Sequence, residues 1–158
     1  MCLLPAGLGA SDDQGMPVSE RKNDALPVSL NAKLQNLLDG RNFATLATLN
    51  PDGSPQTSVV WILREDDTLL VSVTQGKQKT RNLARDPRVS IALYDLANPY
   101  DSVEIRGLAE LVEDPTKWLP TALSHKYLGV DPPAESDAEV RLIVRVTPTK
   151  VNGFSAAV

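Results

Sequence analysis

The stretch Phe43-Ala-Thr-Leu-Ala-Thr-Leu-Asn-Pro-Asp-Gly-Ser-Pro-Gln-Thr-Ser-Val-Val-Trp61 decides how the rest of the chain is read. Phe43 to Leu49 is rich in Thr and apolar residues, a composition that suits a pleated, half-buried strand. Asn50-Pro51-Asp52-Gly53 supplies turn chemistry, and Gln56 to Leu63 is the return strand of a hairpin. A connection this short joins antiparallel neighbours, because a parallel pair needs a crossover of about a dozen residues or more. Outward from the hairpin, Asp66-Asp67 makes the next turn and Thr68–Thr74 the third strand. Val89–Tyr94 is the fourth and Ser102–Val112 the fifth. Arg141–Thr147, with Lys150–Phe154 beyond Pro148, finishes the sheet. Gly107, inside the fifth strand, predicts a bulge or sharp bend of the kind that barrel closure requires.

Helical periodicity occurs in short segments between these strands. Leu30, Leu34, Leu37 and Leu38 recur at helical spacing after the capping side chains of Ser29 and Asn31. Gly40 then stands where a helix end accepts a residue with positive φ. Gly76 to Ala84 is a second helix, ended before Pro87. Pro115 to Leu128 is a third, with Pro115 in its first turn and Leu119, Ala122, Leu123 and Tyr127 on one face. The fold class expected is mainly β: a six-stranded antiparallel barrel with flanking helices, since closure removes exposed sheet edges. One domain spans 29–158, preceded by a disordered tail over 1–28 in which Met16 offers a second start.

The 158 residues carry a net charge of −4 and 42% hydrophobic residues, which suits one soluble domain. One Cys (Cys2) and one His (His125) exclude a Cys/His zinc site within the chain, and the single Cys excludes an internal disulfide framework. A Ser/His/Asp constellation does not follow from one His. Acidic balance argues against nucleic acid as partner. No apolar run approaches the roughly 20 residues of a membrane span. A cytoplasmic protein without membrane attachment is expected.

Charge is unevenly spread. Between Lys77 and Arg88 five cations meet a single Asp86, giving +4 in an otherwise acidic chain. Gly76 turns the backbone tightly out of the third strand into a helix start. A helix N-terminus with Lys beside it receives a phosphate through its dipole and charge-assisted hydrogen bonds. Lys77, Arg81 and Arg85 form one stripe, and Lys79 with Leu83 a more inward face. A solvated basic helix face would have the same composition. The Gly spacing fits neither a Walker loop nor a dinucleotide fingerprint. The strand Thr57–Trp61 could receive a flat ring system along its backbone, or could simply place Trp61 in the core. His125 reads as a surface or packing residue, and the loop Asp131–Glu139 as a solvent-facing segment whose four carboxylates could gather a cation.

Taken in order, these stretches resemble the pyridoxamine 5′-phosphate oxidase-like split β-barrel superfamily, and within it the deazaflavin-dependent branch that uses coenzyme F420. The resemblance is carried by Phe43–Gln56, Val59-Val-Trp61, Gly76–Leu83, Asp86–Ser90, Asn98-Pro-Tyr100, Val103–Gly107 and Val144–Val151. It implies a homodimer with a cofactor in each interface cleft and a small-molecule substrate. It implies that the ring system lies along Ser58, Val59, Val60 and Trp61, with Val73 and Thr74 at the border. The phosphate then falls to Lys77, Gln78, Lys79 and Asn82, and Tyr100 stands near the cofactor tail or the partner. F420 is favoured over FMN, its acidic tail matched by Arg81, Arg85 and Arg88. The implied activity is hydride transfer from reduced F420 to an unsaturated organic molecule. FMN-dependent chemistry, or cofactor binding without catalysis, are the alternatives on the same scaffold.

Overall fold

The computed structural model describes residues 25–154, so Cys2, Met16 and most of the expected tail lie outside the described residues, as do residues 155–158. Five strands follow the sequence reading closely: β1 (Ala44–Leu49), β4 (Thr68–Thr74), β5 (Arg88–Tyr94), β6 (Ser102–Glu113) and β7 (Arg141–Phe154). The run expected as one strand, Gln56–Leu63, is two: β2 (Pro55–Val60) and β3 (Leu63–Glu65). The sheet therefore has seven strands, not six, in the order β2-β1-β5-β6-β7-β4-β3, with every neighbour antiparallel.

That order has a geometric consequence. β2 and β3 are the two outermost strands, yet only Trp61 and Ile62 separate them in the chain. The sheet must curl until its two edges meet, and Ile62 at the junction is completely buried. Closure is covalent there. Among the described residues no strand pairs with the outer edge of β2, and β4 pairs with β3 only over Thr68–Leu70, which leaves Val71–Val73 without a strand partner on that side. The barrel is split along this gap.

Period-two alternation builds the interior. Leu46, Ile91, Ile105, Val71, Val144 and Val146 are fully buried and share one cluster with Ile62 and Leu69. Each such side chain contributes about 1.5–3 kcal/mol relative to an exposed one. The bend occurs at Gly107 as the sequence predicts: the register jumps from Arg106↔Lys150 to Gly107↔Pro148, leaving Thr149 as the extra residue. A Cβ at Gly107 would run into the carbonyl oxygen of Thr147, so the two strands touch backbone to backbone.

Helix α1 (Ala32–Asp39) is capped by Asn31, whose side chain accepts from Leu34 N at 3.0 Å. Gly40 departs from expectation: its φ is −64°, extended rather than left-handed. The glycine is needed for space, since a Cβ would approach the Asn42 amide at 2.9 Å, and that amide donates to Leu37 O. Helix α2 (Gln78–Arg85) follows β4. Helix α3 (Trp118–Leu128) starts later than Pro115, because the buried Asp114 carboxylate accepts from the amides of Trp118 and Leu119 and fixes the first turn there. Leu119, Leu123 and Tyr127 pack with Leu70 and Ile143 in a second cluster. Val28, in the expected tail, donates its N–H to Pro148 O at 2.9 Å. No helix among the described residues is long and apolar enough to cross a membrane.

Candidate functional site

β4 passes into α2 through Gly76, whose φ of +83° suits glycine. Lys77 is the N-cap residue and makes no side-chain capping bond, while Thr80 anchors the first turn by donating to Thr74 O at 3.0 Å. One turn on, Asn82 is completely buried. Its amide donates to Thr48 Oγ1 and Asn50 Oδ1, both at 3.0 Å, and its carbonyl oxygen accepts from Gln78 at 2.8 Å. Asn82 therefore ties α2 to the β1–β2 turn and does not face outward to an anion. Gln78 is committed to Asn82 and Arg81.

The cations of this segment divide into two sets. Arg81 donates to Gly76 O and Gln78, Arg85 to Leu49 O, and Arg88 pairs with Asp86 at 2.6 Å. Lys77 is exposed and Lys79 half-buried, and neither ammonium has a partner among the described residues. Burial, and then the charge of Lys77, push the Lys79 ammonium below its ordinary pKa. An anion placed there would relieve both effects.

Lys79 lines a cavity of about 460 Å³ together with Val59, Val60, Trp61, Ser72 and Arg141. That volume lies in the range of small-molecule sites. Phe43 and Trp61 line it as well, and behind them Tyr127 stacks on both, with ring centroids 5.8 Å from Phe43 and 4.9 Å from Trp61, the latter with ring planes 8° apart. The Tyr127 hydroxyl donates to Asn42 O at 2.7 Å and accepts from Ile62 N at 3.3 Å, which fixes the stack to the β2–β3 junction. Beside it Lys126 Nζ donates to Leu38 O and Ile62 O, and burial pushes its pKa down to about 8. The Ser72 hydroxyl, like that of Ser58, is buried without a hydrogen-bond partner among the described residues. Such groups are costly unless something satisfies them.

The structure thus gathers Val59, Val60, Trp61 and Lys79 around one cavity. Val73 is 3% exposed with its side chain in the barrel core, so only its backbone borders the gap. Thr74 gives its hydroxyl to Glu139 at 3.0 Å. Tyr100 is exposed on the β5–β6 loop and does not line the cavity. A larger hollow of about 920 Å³ lies beside α1 and that loop, but none of the predicted site residues lines it.

Sequence reading misses Phe43, Ser72 and Arg141 on the cavity, and Tyr127 behind Phe43 and Trp61. Ser72 was available from alternation, which sets it opposite Val71 and Val73. Helical periodicity gives Tyr127 a place on a packing face and nothing more. The loop 131–139 is not simply solvent-facing: Glu135 binds Arg141 through two hydrogen bonds and Pro132 and Pro133 line the cavity. His125 is exposed and pairs with Asp131 at 2.6 Å, which makes it a surface residue and not a packing one.

Comparison with known proteins agrees with this architecture. The family model for pyridoxamine 5′-phosphate oxidase matches residues 30–155. Among solved structures, an F420 reductase is similar with a TM-score of 0.70 and 34% identity, over 78% of this chain and 98% of its own. A conserved hypothetical protein from Mycobacterium tuberculosis gives 0.66 at 26% identity, over 82% and 86% of the two chains. A putative pyridoxamine 5′-phosphate oxidase from Listeria innocua gives 0.61 at 20%, over 77% and 94%, a likeness of fold alone. The chain belongs to the pyridoxamine 5′-phosphate oxidase family, with the split-barrel fold of that family.

Proposed function

We propose that the protein is an F420-dependent oxidoreductase that reduces an electron-poor double bond of a small organic molecule. Family membership supports an oxidoreductase of the flavin or deazaflavin type, and similarity to an F420 reductase favours F420. The observation that carries the reading is Lys79: a half-buried ammonium without a partner among the described residues, beside a helix start, on the cavity that also holds the free edge of β2. A bound reduced deazaflavin would supply the hydride.

The residues present fit such a group. Lys79 and Lys77, with the first-turn amides of α2, bind the phosphate. The unpaired edge of Ser58–Trp61 offers backbone groups to ring nitrogens and oxygens, because alternate residues of an edge strand direct their polar groups outward. The orphaned hydroxyls of Ser58 and Ser72 are further candidates to serve the ring. Gln78 and Asn82 position α2, and Thr74 with the backbone of Val73 closes the border. Catalysis comes mainly from holding donor and acceptor in contact. Tyr100 enters from a partner subunit in a homodimer, whose contact face we assign to the exposed outer side of β1 and β5, where Thr45, Ala92 and Tyr94 stand.

A second reading, FMN, is favoured by one observation. Arg81, Arg85 and Arg88 are all engaged within the chain, which leaves two lysines, enough for a phosphate but few for an acidic tail. Titrating the protein separately with F420 and FMN decides between them, and the proposal expects F420 to bind more tightly. Binding of both only above roughly millimolar, worth about 4 kcal/mol, rejects the cofactor reading. Reoxidation of reduced F420 by a panel of unsaturated compounds then tests for turnover; tight binding with no reoxidation would identify a carrier or binding protein.

A further inference from the structure

The segment between α3 and β7 is held almost wholly by polar ties. Glu135 accepts two hydrogen bonds from Arg141, one from Nε at 2.9 Å. Lys117 Nζ donates to Ser136 O at 2.8 Å and lies 3.8 Å from Glu135. Glu139 accepts from Thr74 Oγ1, and Val140 O accepts from Gln75 N at 3.0 Å. At the other end Asp131 pairs with His125. Pro133, Ala134, Ser136, Asp137 and Ala138 are exposed, so little apolar burial adds to these ties. A segment of this kind opens locally at low cost. It borders the cavity, since Pro132, Pro133 and Glu135 line it.

Arg141 is the residue that links this segment to the cavity. It opens β7 in register with Thr74, the residue from which the chain turns toward α2. It lines the same cavity as Lys79, and both Arg141 and Glu135 have side chains only 20% exposed. The Nε/Nη2 fork of a guanidinium holds one bidentate carboxylate or phosphate at a time. Glu135 occupies that fork, and its charge would repel any anion approaching Lys79.

We propose that residues 131–139 are a strap latched over the cavity by Glu135 on Arg141, and that an anionic group of the ligand takes Arg141 over from Glu135, so that binding and unlatching are one event. Its ligand half rests on the reading of the cavity as a cofactor site; its latch half does not. Linkage makes the two processes reciprocal: whatever weakens the latch strengthens the anion.

Hydrogen exchange of the 130–140 segment tests the latch without any ligand. Glu135→Gln should raise exchange there and leave the barrel strands unchanged; unaltered exchange overturns the strap. Millimolar inorganic phosphate, compared with chloride at equal ionic strength, should raise exchange of the same segment in the natural protein and add little in Glu135→Gln. No response to phosphate overturns the takeover of Arg141. In cofactor titrations Glu135→Gln should bind F420 or FMN about 5-fold or more tightly, a usual size for coupling between sites. That gain should vanish when Arg141→Gln is added; persistence of the gain in the double variant also overturns the takeover. If neither cofactor binds, the function proposed above fails, while the exchange experiments still decide this inference.

Discussion

Tyr127 and Trp61 stack at 4.9 Å with their planes 8° apart, so a helix residue holds flat the last ring before the two ends of the sheet meet. The Tyr127 hydroxyl completes the arrangement by bonding Asn42 O and Ile62 N. Tyr127→Phe keeps the stack and leaves both backbone groups unpaired in the interior. A loss of about 1–3 kcal/mol is expected in urea unfolding, the cost of unsatisfied buried polar groups. A change indistinguishable from zero would mean that these bonds do not hold the junction.

Lys126 gives a pH signature. In the unfolded chain its ammonium keeps the proton to the ordinary 10.5, whereas in the fold it releases the proton near 8. Between those values the unfolded state binds more protons, so stability rises with pH; below 8 the burial cost of the charge is fully present. Urea midpoints measured from pH 8 to 10.5 should therefore climb more steeply in the natural protein than in Lys126→Met. Equal slopes would show that Lys126 titrates alike in both states.

Gly107→Ala tests the backbone contact at the barrel bend. The added methyl meets the Thr147 carbonyl, which is main chain and has no rotamer to escape by. Overpacking of this kind costs about 1–3 kcal/mol and occasionally more. A thermal midpoint within error of the natural protein would mean that the bulge at Thr149 slides to absorb the methyl.

Lys79 and Asn82 sit three residues apart on α2 and should fail in opposite ways. Lys79→Ala is expected to weaken cofactor binding roughly 10-fold or more, the worth of a charge-assisted bond, with stability retained. Asn82→Ala removes the buried amide that joins α2 to Thr48 and Asn50, and should lower stability by about 1–3 kcal/mol. Parallel calorimetric titration and thermal unfolding of both variants separate the roles; a stability loss in Lys79→Ala as large as that in Asn82→Ala would erase the distinction.

The proposed homodimer is tested by Ala92→Arg, which places a long cation in the middle of the outer face of β5, where Ala92 is exposed. Sedimentation should show a dimer for the natural protein and a monomer for the variant, with cofactor affinity lost at the same time. A variant that still sediments as a dimer moves the interface to another face.

The sequence carried the sheet more fully than the site. The hairpin from Phe43 was legible because Asn50-Pro51-Asp52-Gly53 leaves the backbone few choices, and Gly107 marked the bend because only a missing side chain permits that approach. The break at Trp61-Ile62 was not legible, since a run of large apolar residues has no local reason to stop pairing. Position 40 showed a glycine, yet its cause lay in a contact with Asn42 that periodicity does not encode. Lys79 was read correctly as inward because it shares a face with Leu83. The family resemblance assigns Asn82 to the phosphate, and nothing local in the sequence shows that its side chain is engaged by partners 32 and 34 residues away. Arg141 went unnoticed for the same reason: its partner lies in a loop that looked merely acidic.

The two-residue link between β2 and β3 determines more than the shape of the barrel. A ring of strands fastened all the way round by hydrogen bonds would offer a visiting molecule no main-chain partners. Here the ring is fastened by peptide bonds at Trp61 and Ile62, and among the described residues no strand pairs with the outer edge of β2 or with Val71–Val73 on the β3 side. Reconnecting the chain elsewhere and opening it between those two residues would leave every strand pair intact and yet release the clasp. What such a circular permutant would lose is the fixed spacing of the seam, the stretch of wall to which the proposed function assigns the ring of the cofactor.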